Sequence, residues 1–118
     1  MSENKTETKV IKTPHTKEII DTTYETALQC YGVVGISRFD ADVTHRYDPV
    51  EKEKASRGIF VRKNAKTGTF DVDLYLVLAG EVKLTETIFE CQKVVRYALN
   101  RKYNRACRKV NVYVVSIK

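Results

Sequence analysis

Hydrophobic positions recur along this chain with two periods, and the switches between them mark out its elements. Alternation is clearest over residues 69–79, where Phe70, Val72, Leu74, Leu76 and Leu78 share one face and Asp71, Asp73, Tyr75 and Val77 the other. That is the period-2 signature of a strand. A second alternating run, 110–117, sets Val110, Val112 and Val114 on one side and Tyr113, Val115 and Ile117 on the other. Between the two, Ile88, Cys91, Val95 and Leu99 recur at three- and four-residue steps and predict an amphipathic helix over 85–103. Ile20, Tyr24, Ala27, Leu28 and Tyr31 predict an earlier helix, which opens at Thr13 and Pro14 and closes at Gly32. Short strands are expected at 9–12, 33–38 and 58–63, the last joined to 69–79 by a hairpin turn over Asn64 to Gly68.

The resulting order is (β)αβββαβ. Two helices cannot cover both faces of a sheet of four to five strands, so the expected fold is α+β, a two-layer sandwich with both helices on one face. A helix that returns the chain between two strands makes them parallel, so 110–117 should run parallel to 69–79 in a mixed sheet. Residues 1–8 are polar and unpatterned and read as a disordered tail ahead of a single domain over 9–118. Within that domain, residues 39–57 carry five acids against four Lys and Arg and read as a mobile charged loop, with a short helical turn over Glu51 to Ala55 as the alternative.

Charge changes the picture at one end only. The chain of 118 residues carries +6 overall, yet no acid follows Glu90 while eight Lys and Arg do, so the portion before Lys93 is −2 (13 Lys and Arg against 15 Asp and Glu). Lys93, Arg96, Tyr97 and Arg101 fall on the wet side of the second helix, and Arg105, Arg108 and Lys109 continue the stripe. Such a surface suits the phosphates of RNA or of anionic lipid head groups. Cations late in a helix also complement its dipole, and a charged outer face keeps a helix soluble. Cys30, Cys91 and Cys107 are odd in number and widely spaced, which argues against a disulfide framework and, with no apolar leader at the N-terminus, for the cytoplasm.

Order and spacing of several short segments resemble the alkaline shock protein family, small envelope-stress proteins of Gram-positive bacteria and their relatives. Residues 27–37 (ALQCYGVVGIS) are similar to its "A…GV.G(M/I)S" segment, 56–61 (SRGIFV) to its "(K/R)GI.V" strand, and 71–78 (DVDLYLVL) to its "VDLYLVV" strand. Gln92, Val95 and Ala98 match its helix, and residues 110–114 (VNVYV) its ending. The family's Gly-rich run after the first of these is replaced here by the charged 39–57 segment. The resemblance implies a non-enzymatic cytoplasmic protein linked to cell-envelope or membrane-lipid homeostasis, in some members held at the membrane by an anchoring partner.

Candidate chemistry is sparse. His15 and His45 are the two side chains suited to general base work near neutral pH, and neither sits in a motif with a nucleophile. Neither the cysteines nor Asp40, Asp42 and Asp48 have metal-ligand spacing. No catalytic, cofactor or metal site is expected, and no small-molecule substrate. With Leu74 and its partners toward the helices, Phe60, Tyr75, Val77, Tyr113, Val115 and Ile117 should face outward, an apolar centre with a polar rim of the kind proteins use for contact. The sequence therefore reads as an adaptor or scaffold that associates through its sheet face with copies of itself and with a protein partner, at the membrane periphery if that partner is anchored there. The alternative is an RNA- or anionic-lipid-binding module built on the basic second helix.

Overall fold

The computed structural model describes residues 15–37 and 49–118. The tail at 1–8, the strand at 9–12, the helix start at Thr13 and Pro14, and most of the charged loop lie outside the described residues. Two helices and four strands follow in the order α1 (Thr16–Leu28), β1 (Val33–Ile36), a 3₁₀ segment (Lys52–Arg57), β2 (Ile59–Asn64), β3 (Thr69–Leu78), α2 (Leu84–Lys102) and β4 (Cys107–Ile117).

β3 organises the sheet. One edge pairs antiparallel with β2 over residues 69–74 and, further along, with β1 over 76–78; the other edge pairs parallel with β4. The mixed sheet and the parallel return through α2 are those expected from the order of elements. β1 and β2 meet end to end along the same edge: Ser37 N–H donates to the Tyr75 carbonyl (2.8 Å), and Tyr75 N–H donates to the Gly58 carbonyl (2.9 Å). At this seam a Cβ on Gly58 would fall 1.7 Å from the Ser37 carbonyl oxygen, so only glycine fits.

Both helices lie on one face. Phe70, Val72, Leu74, Leu76 and Leu78 of β3 form one buried cluster with Ile19 and Ala27 of α1 and with Cys91, Val95 and Leu99 of α2. The buried line of α1 is Ile19, Ile20, Thr23 and Ala27; Leu28 and Tyr31, expected on it, are exposed. α1 ends at Leu28, ahead of Gly32, whose φ of +87° turns the chain into β1 with Val82 packed against its Cα.

The described part of the charged segment, 49–57, includes the 3₁₀ turn over Lys52–Arg57. Val50 packs on the core and its carbonyl accepts the Tyr24 hydroxyl (2.9 Å). The 3₁₀ segment buries Ala55, and Lys52 reaches Glu25 of α1. One small apolar side chain is enough to seat this otherwise charged stretch, because its polar residues face water.

Candidate functional site

Two surfaces collect the side chains singled out in the sequence. The first is the sheet face turned away from the helices. Tyr75 and Tyr113 are direct neighbours in the β3–β4 register, and their rings stack at 4.9 Å with planes 20° apart. Phe60 of β2 meets Tyr75 edge-on at 5.8 Å. An aromatic row thus crosses three strands, with each cross-strand pair adding about 0.5–1.5 kcal/mol beyond its buried area. Phe60 is 37% and Tyr113 45% exposed. Burial raises the Tyr75 phenol above its ordinary pKa, helped by Tyr113 and Asp73.

Below the row the face is polar and internally paired. Asp73 Oδ1 accepts from Arg62 Nη2 (2.9 Å) and Asn111 Nδ2 (2.8 Å). The bond to Asp73 holds the Arg62 guanidinium above its usual pKa. Asp71, only 6% exposed, takes a bidentate grip from Arg108, Nε to Oδ1 at 3.2 Å and Nη2 to Oδ2 at 2.7 Å. This rim is set by the alternation of β3, which puts Asp71, Asp73 and Tyr75 on one face.

Two of the six residues expected on the contact face are not available there. Val77 is fully buried, outside the helix-side cluster, so it offers no surface to a partner. Ile117 changes sides: an irregularity in the β3–β4 register after Leu76 makes Val115 an extra residue, so Ser116 pairs with Val77 and Ile117 with Leu78. One inserted residue reverses every side chain after it. Phe60, Tyr75, Tyr113 and the half-buried Val115 remain.

The second surface is a groove of about 630 Å³ between α2 and the start of β4. Phe89, Gln92, Lys93 and Arg96 line it from the helix, and Arg108 and Lys109 from the strand. Of the seven residues in the expected basic surface the groove gathers four. Tyr97 and Arg101 lie one stripe further round α2, with the Arg101 guanidinium 5.7 Å from the Tyr97 ring centre. Arg105 sits in the left-handed turn after the helix (φ +62°) and does not line the groove. The sequence showed these cations as one stripe; their division depends on where β4 crosses α2.

The cysteines are free and buried. Cys30 and Cys91, distant in sequence, are close enough for each thiol to act on the other's ionisation, though burial is the main cause of the raised pKa in both. Cys107 is pushed up to about 11 by burial, against the opposing pull of Arg96. Among the described residues no group of three or more His, Cys, Asp or Glu is arranged to hold a metal ion, and no helix is long and apolar enough to cross a membrane.

The family model for the alkaline shock protein 23 family, described as having a cell envelope-related function, matches residues 3–118. The chain is 28% identical over 92 residues to the uncharacterized protein YloU of Bacillus subtilis (strain 168), covering 78% of this chain and 75% of that one. It is 32% identical over 92 residues to the uncharacterized protein Spy1614 of Streptococcus pyogenes serotype M6, covering 78% and 74% respectively. Among solved structures, MamM-CTD 215-293 superposes with a TM-score of 0.52 at 17% identity, covering 86% of this chain and 99% of that one; this is a likeness of fold. With the family segments in their expected places on β1, β2, β3, α2 and β4, the chain belongs to the alkaline shock protein 23 family, whose function is related to the cell envelope.

Proposed function

We propose that this chain is a non-enzymatic adaptor of the cell envelope, working in the cytoplasm and associating through its outer sheet face with a second copy and with a protein partner, which brings it to the membrane periphery where that partner is anchored. The observation that carries this reading is the aromatic row Phe60–Tyr75–Tyr113 across three strands. Aromatic rings with few rotatable bonds give large contact area at small entropic cost, which is why such clusters serve as contact centres. The charges around the row are already paired with one another, so a partner need not strip water from a lone ion to dock. The envelope-related family supplies the setting.

Tyr113→Glu tests the proposal, because Tyr113 is the more exposed of the two outer rings and the substitution places a charge within the row. Light scattering should show the wild type as an oligomer and the variant as a smaller species, with Tyr75→Glu behaving alike. Equal masses for all three proteins, together with unchanged capture of partner from lysate, would remove the sheet face from consideration.

A further inference from the structure

We infer that the groove between α2 and β4 is a binding site for a phosphate ester with a small organic body. Its position follows from two local features. Lys93 and Arg96 lie three residues apart on α2 and so share a face. On β4, consecutive residues would ordinarily point to opposite sides, yet Arg108 and Lys109 both line the groove. The register between β3 and β4 slips here, Phe70 pairing with Cys107 and Asp71 with Lys109, so Arg108 is an extra residue and the strand is re-aimed locally. Two cations from each element therefore converge.

The charge in the groove is only partly neutralised. Arg108 is committed to Asp71. Lys93 has an exposed contact with Glu90 at 3.8 Å, one turn back on the same helix, an arrangement of small worth in water. Arg96 and Lys109 form no ion pair with any described residue. Arg96 lines the groove together with Arg108 and Lys109 of β4, and its charge opposes the rise of the Cys107 pKa. Among the described residues no carboxylate lines the groove.

Such a set prefers a phosphate to a carboxylate. A phosphate monoester carries about −1.5 to −2 charge and three acceptor oxygens, enough to engage Arg96, Lys109 and Lys93 at once, with the Gln92 amide as a further donor. The groove is far larger than a phosphate alone requires, and Phe89, 63% exposed, stands at its wall as an apolar surface for the ester's organic part. One aromatic at the groove is too few for a stacking platform, so a single-stranded nucleic acid fits it less well. The groove shares Arg108 with the polar rim of the sheet face, but the inference does not use the aromatic row.

Calorimetric titration of the full chain with glycerol 3-phosphate tests the soluble form of this ligand. Co-sedimentation with vesicles of equal phosphatidylglycerol and phosphatidylcholine, against phosphatidylcholine alone, tests the lipid form. Binding is expected in one or both arms. Arg96→Glu with Lys109→Glu should weaken it by about a hundredfold, roughly tenfold for each charge-assisted hydrogen bond removed, while Arg101→Glu, outside the groove on the same helix, and Tyr113→Glu leave it unchanged. The milder Arg96→Gln with Lys109→Gln gives the same ranking if the charge reversal disturbs the fold. Failure of both arms, equal weakening by Arg101→Glu, or binding of single-stranded RNA alone would each overturn the inference.

Discussion

Gly58→Ala is the substitution whose effect the geometry constrains most tightly. Gly58 has φ −131°, a backbone conformation open to any residue, so the penalty comes from space alone. The new methyl would lie 1.7 Å from the Ser37 carbonyl oxygen and 2.8 Å from its carbon, both backbone atoms that no rotamer change can move. Relief requires the ends of β1 and β2 to separate along β3. That loosens two hydrogen bonds converging on Tyr75, from Ser37 N–H at 2.8 Å and to the Gly58 carbonyl at 2.9 Å. Each is worth about 0.5–1.5 kcal/mol net, and a donor left buried without a partner costs about 1–3. The stiffer unfolded chain offsets about 0.4–1 kcal/mol of this. The expected net destabilisation is about 2–4 kcal/mol, a large part of the ~5–15 available to a domain, and a melting point lower by roughly 10 °C. Urea denaturation followed by circular dichroism measures it. Gly80→Ala is the matched control, since its nearest contacts at 3.4 Å are ordinary packing, and it should change stability by no more than about 0.5 kcal/mol. If Gly58→Ala unfolds at the same urea concentration as Gly80→Ala, the end-to-end seam is not as described.

Three further outcomes can be checked on the same purified protein. Thr23 is buried in α1 with its hydroxyl unpaired, so Thr23→Val should raise stability by about 1 kcal/mol in urea titration; a decrease would mean that the hydroxyl has a partner. The Cys107 thiol titrates near 9.0 when unfolded and about 11 when folded. Over that window the folded state therefore holds the extra proton, and stability falls as pH rises from 9 to 11. Cys107→Ala should flatten that slope without abolishing it, because Cys91 is raised by burial as well; an unchanged slope in melts at pH 8, 9.5 and 11 would contradict the assignment. Asp71→Asn should cost about 1–2 kcal/mol by weakening the bidentate grip of Arg108, with Arg62→Gln milder because that guanidinium is largely exposed; equal urea midpoints for the two variants would refute that ranking.

The alternation of residues 69–78, the helical spacing of Cys91, Val95 and Leu99, and the turn residues Asn64 to Gly68 determined by themselves two strands, a helix and a hairpin, because each is a local pattern that burial on one face makes obligatory. From their order the two-layer arrangement and the parallel pairing of β3 with β4 followed, since a helix of that length returns the chain to run in the same direction. The aromatic row was legible to the same extent, as Phe60, Tyr75 and Tyr113 lie where regular alternation puts them. Tertiary structure decided the rest. Val77 looked like Tyr75 in the pattern and is buried; Ile117 looked like Tyr113 and falls on the other side of the sheet, because β4 takes in an extra residue to stay in register with β3. The same accommodation at Arg108 turns a helical stripe of cations into a groove shared by two elements. Periodicity records which face a residue prefers within its own element, but bulges and grooves arise from the fit between elements, and that fit is settled only when they pack.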